Sequence, residues 1–384
     1  MMVPATARPP VPANTPHILD LDRHGCPFPG SCVFSPDGAI LAVSGSRPRG
    51  KEYDPVLTLW DAASGRHLRT LPDASSDFSP DGKHLATPYP ATGEVVIRDI
   101  KSWAEVRRLK CSRVESANYS PDGKHLLSHW GHYDRDTGRI TGGEQVWNLA
   151  DGRVVFEPTW EKDERCEWHW ITRDGRLLMA TNKQRLRTWN PRDGSDTSVK
   201  LEGGERLGHY TTDLTGTRLL YSGVEAIQTL DMTNGKVVHT FGGDGVGGEV
   251  AWLTDDGTEV VTTSKDGRVV IFDAANGRQR HAFFVAGVEK GHPPSVHPGP
   301  DPRWLVVHRS TPRNNDPLFD SWVSLYTRGG RLVRDDQHVI TAAFDPAGRR
   351  VAVRAYTPEL PGRPSRMTVT LHDAAAWLAG GAKN

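Results

Sequence analysis

One short phrase recurs along this chain and leaves few folds open to it. Apolar residues lead into Ser-Pro-Asp-Gly, and a second apolar run follows. The phrase is intact at Phe34-Ser35-Pro36-Asp37-Gly38, Phe78-Ser79-Pro80-Asp81-Gly82 and Tyr119-Ser120-Pro121-Asp122-Gly123. Weaker copies are Thr172-Arg173-Asp174-Gly175, Leu214-Thr215-Gly216, Thr254-Asp255-Asp256-Gly257 and Phe344-Asp345-Pro346-Ala347-Gly348, with a degenerate one at Pro300-Asp301-Pro302-Arg303. Their last residues stand 41 to 52 positions apart, which makes eight copies. Proline presets φ for a turn, aspartate bonds to local backbone, and glycine takes a positive φ without steric cost. The phrase therefore specifies a tight turn between two strands.

A second phrase follows each first one. It reads Leu59-Trp60-Asp61 with Gly65, Ile97-Arg98-Asp99, Val146-Trp147-Asn148 with Gly152, Thr188-Trp189-Asn190 with Gly194, Leu230-Asp231 with Gly235, Ile271-Phe272-Asp273 with Gly277, Leu325-Tyr326, and Leu371-His372-Asp373. Around these turns the residues alternate or run apolar over four to six positions, as strands do. No long helical period is present, and Ala374 to Ala379 suffices for one short helical turn. Each unit thus reads as four antiparallel strands, a to d. Such a unit cannot bury both its faces alone, so the units must stack in a ring.

These turns and spacings resemble the WD-repeat β-propeller family over residues 17–377. The resemblance implies an all-β, single closed β-propeller of eight four-stranded blades, with seven as the alternative if the seventh unit is an insertion. The chain departs from the family in detail. Tryptophan holds the family position only at Trp60, Trp147 and Trp189, and the Gly-His dipeptide survives most clearly at Gly208-His209. The family's buried His–Ser–Asp–Trp network is therefore incomplete. The eighth unit lacks a fourth strand, whereas His17-Ile18-Leu19-Asp20-Leu21 reads as a strand with no unit of its own. That N-terminal segment is expected to close the last blade. Residues 1–16 are expected to be disordered, and 378–384 to form a tail.

Charge excludes some partners. Lys+Arg and Asp+Glu both number 47, so nucleic acid is not an expected ligand. Cys26, Cys32, Cys111 and Cys166 form no C-x-x-C pair and read as reduced thiols. Neither a signal peptide nor a run long enough to cross a bilayer is seen, so the expected setting is the cytoplasm, without membrane contact.

The a–b and c–d turns are uniform, whereas the b–c connections vary. They are expected to be long loops in blade one (Ser46 to Pro55), blade three (His129 to Gly143), blade seven (Arg309 to Ser321) and blade eight (Tyr356 to Arg366). The link from Glu157 to Trp170 is also long. All of these emerge on one face. The residues expected to meet a partner are Arg49 and Tyr53, then Trp130, Tyr133 and Arg135, then Trp160, Arg165 and Trp168, and finally Arg313 and Phe319. Aromatic and arginine anchors are what protein interfaces use.

Catalytic motifs fare poorly. Gly243-Asp244-Gly245-Val246-Gly247-Gly248 satisfies G-x-G-x-x-G but precedes a strand, Glu249 to Leu253, where a dinucleotide site needs a helix. Asp134-Arg135-Asp136-Thr137-Gly138 begins like a calcium loop but lacks the later ligands. His129 and His132 are a weak zinc pair. There is no G-x-S-x-G elbow. Ser64-Gly65-Arg66 and Asn276-Gly277-Arg278 echo the docking phrase of quinone-dependent propellers without its tryptophan. The expectation is a monomeric, non-catalytic interaction scaffold without cofactor. The alternative is a small-molecule or metal site, hydrolytic or not, at the mouth of the central channel.

Overall fold

The Ser-Pro-Asp-Gly phrase folds as its chemistry requires. Gly38 N–H donates to the Ser35 carbonyl at 2.8 Å and closes the turn. Ser35 Oγ donates to Asp37 Oδ1 at 2.6 Å and accepts from Ile40 N–H at 3.0 Å, while Ala39 N–H donates to Asp37 at 2.9 Å. The same set recurs around Ser79/Asp81, Ser120/Asp122, Thr172/Asp174 and Thr254/Asp256. These bonds hold the Asp37 and Asp81 carboxyls below their usual range, Asp81 at about 2; the serine hydroxyl is the largest cause in both.

The computed structural model describes residues 16–380, except 73–75, 112, 134–139, 173, 202–208, 214–215, 223–226, 242–249, 255, 289–293, 300–303, 314–315 and 358–365. Within strands, the side chains of 132–133, 140–141, 209–210, 250, 298, 310–313, 316–320 and 357 also lie outside the description. The disordered N-terminal segment (but for residue 16), the G-x-G-x-x-G stretch, the calcium-like loop and the degenerate turn at 300–303 were expectations about residues that fall outside it.

Eight four-stranded antiparallel sheets form the ring. Blade one is Phe28–Phe34, Ile40–Arg49, Glu52–Asp61 and His67–Leu71; blade three is Ser116–Tyr119, His125–Tyr133, Ile140–Asn148 and Arg153–Phe156. Strand a of blade four is Cys166–Ile171. Blade eight takes its outer strand from the N-terminus: His17 pairs with Leu371, Ile18 with Thr370, and Leu19 N–H donates to the Val369 carbonyl at 3.0 Å. The ring thus has eight blades, closed by the N-terminal strand.

The core is divided among the blade interfaces. Strand residues alternate between the two faces of a sheet, so Leu41 packs toward blade eight and Ala42 toward blade two. Each of the eight apolar clusters joins two neighbouring blades. One of them unites Leu19, Leu21, Val369 and Leu371 with Leu41 and Trp60 of blade one. A fully buried leucine or valine contributes about 1.5–3 kcal/mol. The a–b turns also nest around the ring. A Cβ on Gly38 would lie 2.7 Å from Asp345 Oδ2 of the preceding blade, so glycine is needed there for room as well as for its φ of 70°.

Three expected loops are largely not loops. Strands b and c of blade one continue through the whole segment as a ribbon, with Arg47 opposite Asp54 and Arg49 opposite Glu52. Blade seven extends likewise to Arg313 opposite Asp316, and blade three to Tyr133 opposite Ile140. In blade eight the strands reach Thr357 opposite Arg366. The ribbon of blade one extends beyond the registers of strands a and d, so Pro48 and Pro55 interrupt no inner ladder. A short helix, Ala374–Ala379, is capped by Asp373 and buries Trp377 against blades seven and eight. No helix among the described residues is long and apolar enough to cross a membrane.

Candidate functional site

The ribbons put the expected anchors in very different surroundings. Tyr53 is 64% exposed and meets the half-exposed Phe28 edge-on, with ring centroids 5.7 Å apart. Arg49 is exposed but engaged within its own ribbon, 2.9 Å from Glu52 and 3.2 Å from Asp54. Trp130 is partly buried. It lies over Gly143, where a Cβ would come within 2.8 Å of its Nε1, and the Arg113 guanidinium stacks on it at 5.2 Å. Trp160 carries Arg187 at 4.9 Å and packs on the core between blades three and four. Trp168 stands in strand a of blade four, as does Trp170, and not in a link; it packs on the core toward blade five. Tyr133, Arg313 and Phe319 lie in ribbon strands whose side chains are outside the description, and Arg135 is outside it altogether.

A second grouping forms where blade three meets blade four. Register places Glu144 of strand c opposite His129 of strand b. Stacking of the blades brings in His169 from the innermost strand of blade four. Glu144 Oε1 is 3.3 Å from His129 Nδ1 and 3.9 Å from His169 Nδ1. Glu144 is 1% exposed, and its Oε2 has no hydrogen-bond partner. The two imidazole centroids are 4.8 Å apart. Burial pushes His169 down to about 4, helped by His129 and opposed by Glu144. Burial and the Glu144 carboxylate push the Cys166 thiol up, and its Sγ donates to the Trp168 carbonyl at 3.1 Å. Arg165, Cys166 and Trp168 line the same pocket, of about 310 Å³.

No protein-family model matches the chain. No curated protein matches its sequence. Among solved structures it is similar to the C-terminal WD40 domain of Sif2, with a TM-score of 0.59 and 17% identity over 90% of this chain and 96% of that one. The chain shares its β-propeller fold with this domain. It is similar also to dihydro-heme d1 dehydrogenase NirN in complex with DHE, with a TM-score of 0.61 and 14% identity over 84% of this chain and 69% of that one.

Two buried tryptophans inside this propeller donate to hydroxyls at 2.9 Å: Trp147 Nε1 reaches Ser128 Oγ on the neighbouring strand, whereas Trp60 Nε1 reaches Thr58 Oγ1 in its own strand. Sequence reasoning noticed His129 only beside His132. Glu144 and His169 carry no local signal, because their meeting depends on strand register and blade stacking. A larger pocket of about 520 Å³ was not expected. It lies on the opposite, tight-turn face between blades two and three, beside His84, Arg107 and Tyr119.

Proposed function

We propose that this propeller is a non-catalytic interaction scaffold that holds a protein or peptide on its ribbon-bearing face. The observation that carries this reading is the lengthening of the b–c hairpins on one face. Strand b has ten residues in blades one and seven, and five in blades five and six. A two-stranded ribbon beyond the blade adds nothing to the ring's core, yet it supplies surface and unpaired edges for a partner to meet. Tyr53 against Phe28 provides an exposed aromatic pair at the base of the blade-one ribbon. The test is affinity purification with mass spectrometry from the native host. The full chain is run beside a variant with 131–142 and 310–320 cut to Gly-Ser turns. A stoichiometric partner retained by the full chain and lost from the trimmed one is the expected result. A partner held equally by both overturns the assignment of the face.

The second reading, a small-molecule or metal site, is favoured by the His129, Glu144 and His169 grouping. Among the described residues it is the one set of three or more histidine, cysteine or acidic side chains close enough to share an ion.

A further inference from the structure

The donor atoms of His129, Glu144 and His169 all lie within 4.8 Å of one another. They stand on three strands of two blades, so sheet register and blade packing fix them more firmly than a loop would. Two imidazoles and one carboxylate form a donor set that zinc takes with three protein ligands and an open fourth position. With bonds of about 2.0–2.1 Å, neighbouring donors of a tetrahedral zinc stand roughly 3.3 Å apart. The 3.3 Å between His129 Nδ1 and Glu144 Oε1 already has that span, and the 3.9 Å to His169 requires a modest contraction.

The second observation is independent of this spacing. Glu144 is 1% exposed, and one of its two oxygens has no hydrogen-bond partner. A buried carboxylate normally fills its acceptor positions, because leaving one empty costs desolvation that nothing repays. The Cys166 thiol also lies against this carboxylate, but it is a weak donor whose proton is given to the Trp168 carbonyl at 3.1 Å. A divalent cation, bound at Oε1 or spanning both oxygens, would supply the counter-charge that this buried carboxylate lacks. We propose that His129, Glu144 and His169 bind a divalent transition-metal ion between blades three and four, with zinc as the best-matched occupant. This assignment deepens the second reading above and does not depend on the partner surface.

The three protein ligands leave a fourth position for water or a small anion, beside a pocket lined by Arg165 and Trp168.

The test uses the full chain, stripped with a chelator and then titrated with Zn²⁺ by calorimetry. Co²⁺ in place of zinc reports the geometry through visible absorption. The expected result is one zinc per chain and a tetrahedral cobalt spectrum. Glu144→Gln and His169→Ala are each expected to weaken zinc binding by about 100-fold. His84→Ala, on blade two, is expected to bind zinc like the parent. Thermal melts in chelator establish that each variant is folded, and zinc should raise the melting temperature of the parent but not of the two ligand variants. A folded parent that takes up no zinc overturns the proposal. So does a folded Glu144→Gln or His169→Ala variant that binds zinc as the parent does. These outcomes are unaffected by whether the ribbon face captures a protein.

Discussion

Two buried charged clusters, one in blade seven and one between blades three and four, answer the same problem in different ways. In blade seven, Arg309 has a side chain only 7% exposed. Its guanidinium donates to the Ala286 carbonyl at 2.6 Å and to Asp335 Oδ1 at 2.5 Å, Ser324 Oγ donates to the same Asp335 oxygen at 2.6 Å, and Trp322 covers its face at 5.3 Å. Only Nε is left over. The charge is met by an opposite charge, although one N–H stays unpaired. Glu144 also lies buried, but its neighbours are two imidazoles and the Cys166 thiol, none of them a fixed positive charge, and its Oε2 has no hydrogen-bond partner. A buried charge that serves the fold alone finds its opposite within the chain, whereas one without a counter-charge points to something outside it.

The sharpest way to break this comparison is Asp335→Ala. It leaves the Arg309 cation in place without its counter-charge, and the expected cost is about 3 kcal/mol, read as a lower midpoint in urea unfolding. An unchanged midpoint would mean that blade seven is not electrostatically closed. A smaller effect is expected at a third buried group. Asp77 accepts from Tyr119 N–H at 2.8 Å, and burial raises its carboxyl to about 6 despite that bond. Its folded pKa lies above the unfolded value, so its favourable contribution is present below about pH 4 and lost as pH rises through about 6. Asp77→Asn should therefore stabilise the protein by about 2 kcal/mol at pH 7.5 and leave it nearly unchanged at pH 4. Melting curves at the two pH values check this, and an equal shift at both would refute the assignment. The smallest change carries the opposite sign to the first. In chelator, Glu144→Gln removes a poorly met buried charge and should raise stability by about 1 kcal/mol. If that variant instead melts lower than the parent, His129 already satisfies the carboxylate, and the contrast between the two clusters collapses.

The ring was legible in the sequence because its turns are chemically obligate. Gly38 needs both a positive φ and the space beside Asp345, and no larger residue meets both demands. Closure by His17–Ile18 was legible as a strand without a unit. The ribbons were not legible. Ser46 to Pro55 carries two prolines and five charged residues, which reads as loop, yet cross-strand pairs such as Arg47 with Asp54 hold it as a hairpin. The Cys166–Ile171 strand was legible but missed: Cys166, Trp168 and Trp170 alternate with Glu167 and His169, yet the polar stretch that precedes them carries no turn phrase and made the whole segment read as link. The site was legible only in one member. His129 and Glu144 are fifteen residues apart and His169 a further twenty-five, so no local spacing joins them.

Closure by the N-terminus also sets an order in time. The chain is made from its first residue at roughly 5–20 residues per second. His17 emerges early, but its partner Leu371 follows 354 residues later, roughly 20–70 s at that pace. Throughout that interval Leu19 and Leu21 lack the Val369 and Leu371 side chains that cover them in the finished ring. Seven blades can be complete while the nascent protein still shows an apolar seam. Of the strands in the ring, the first one made is among the last to find its partner.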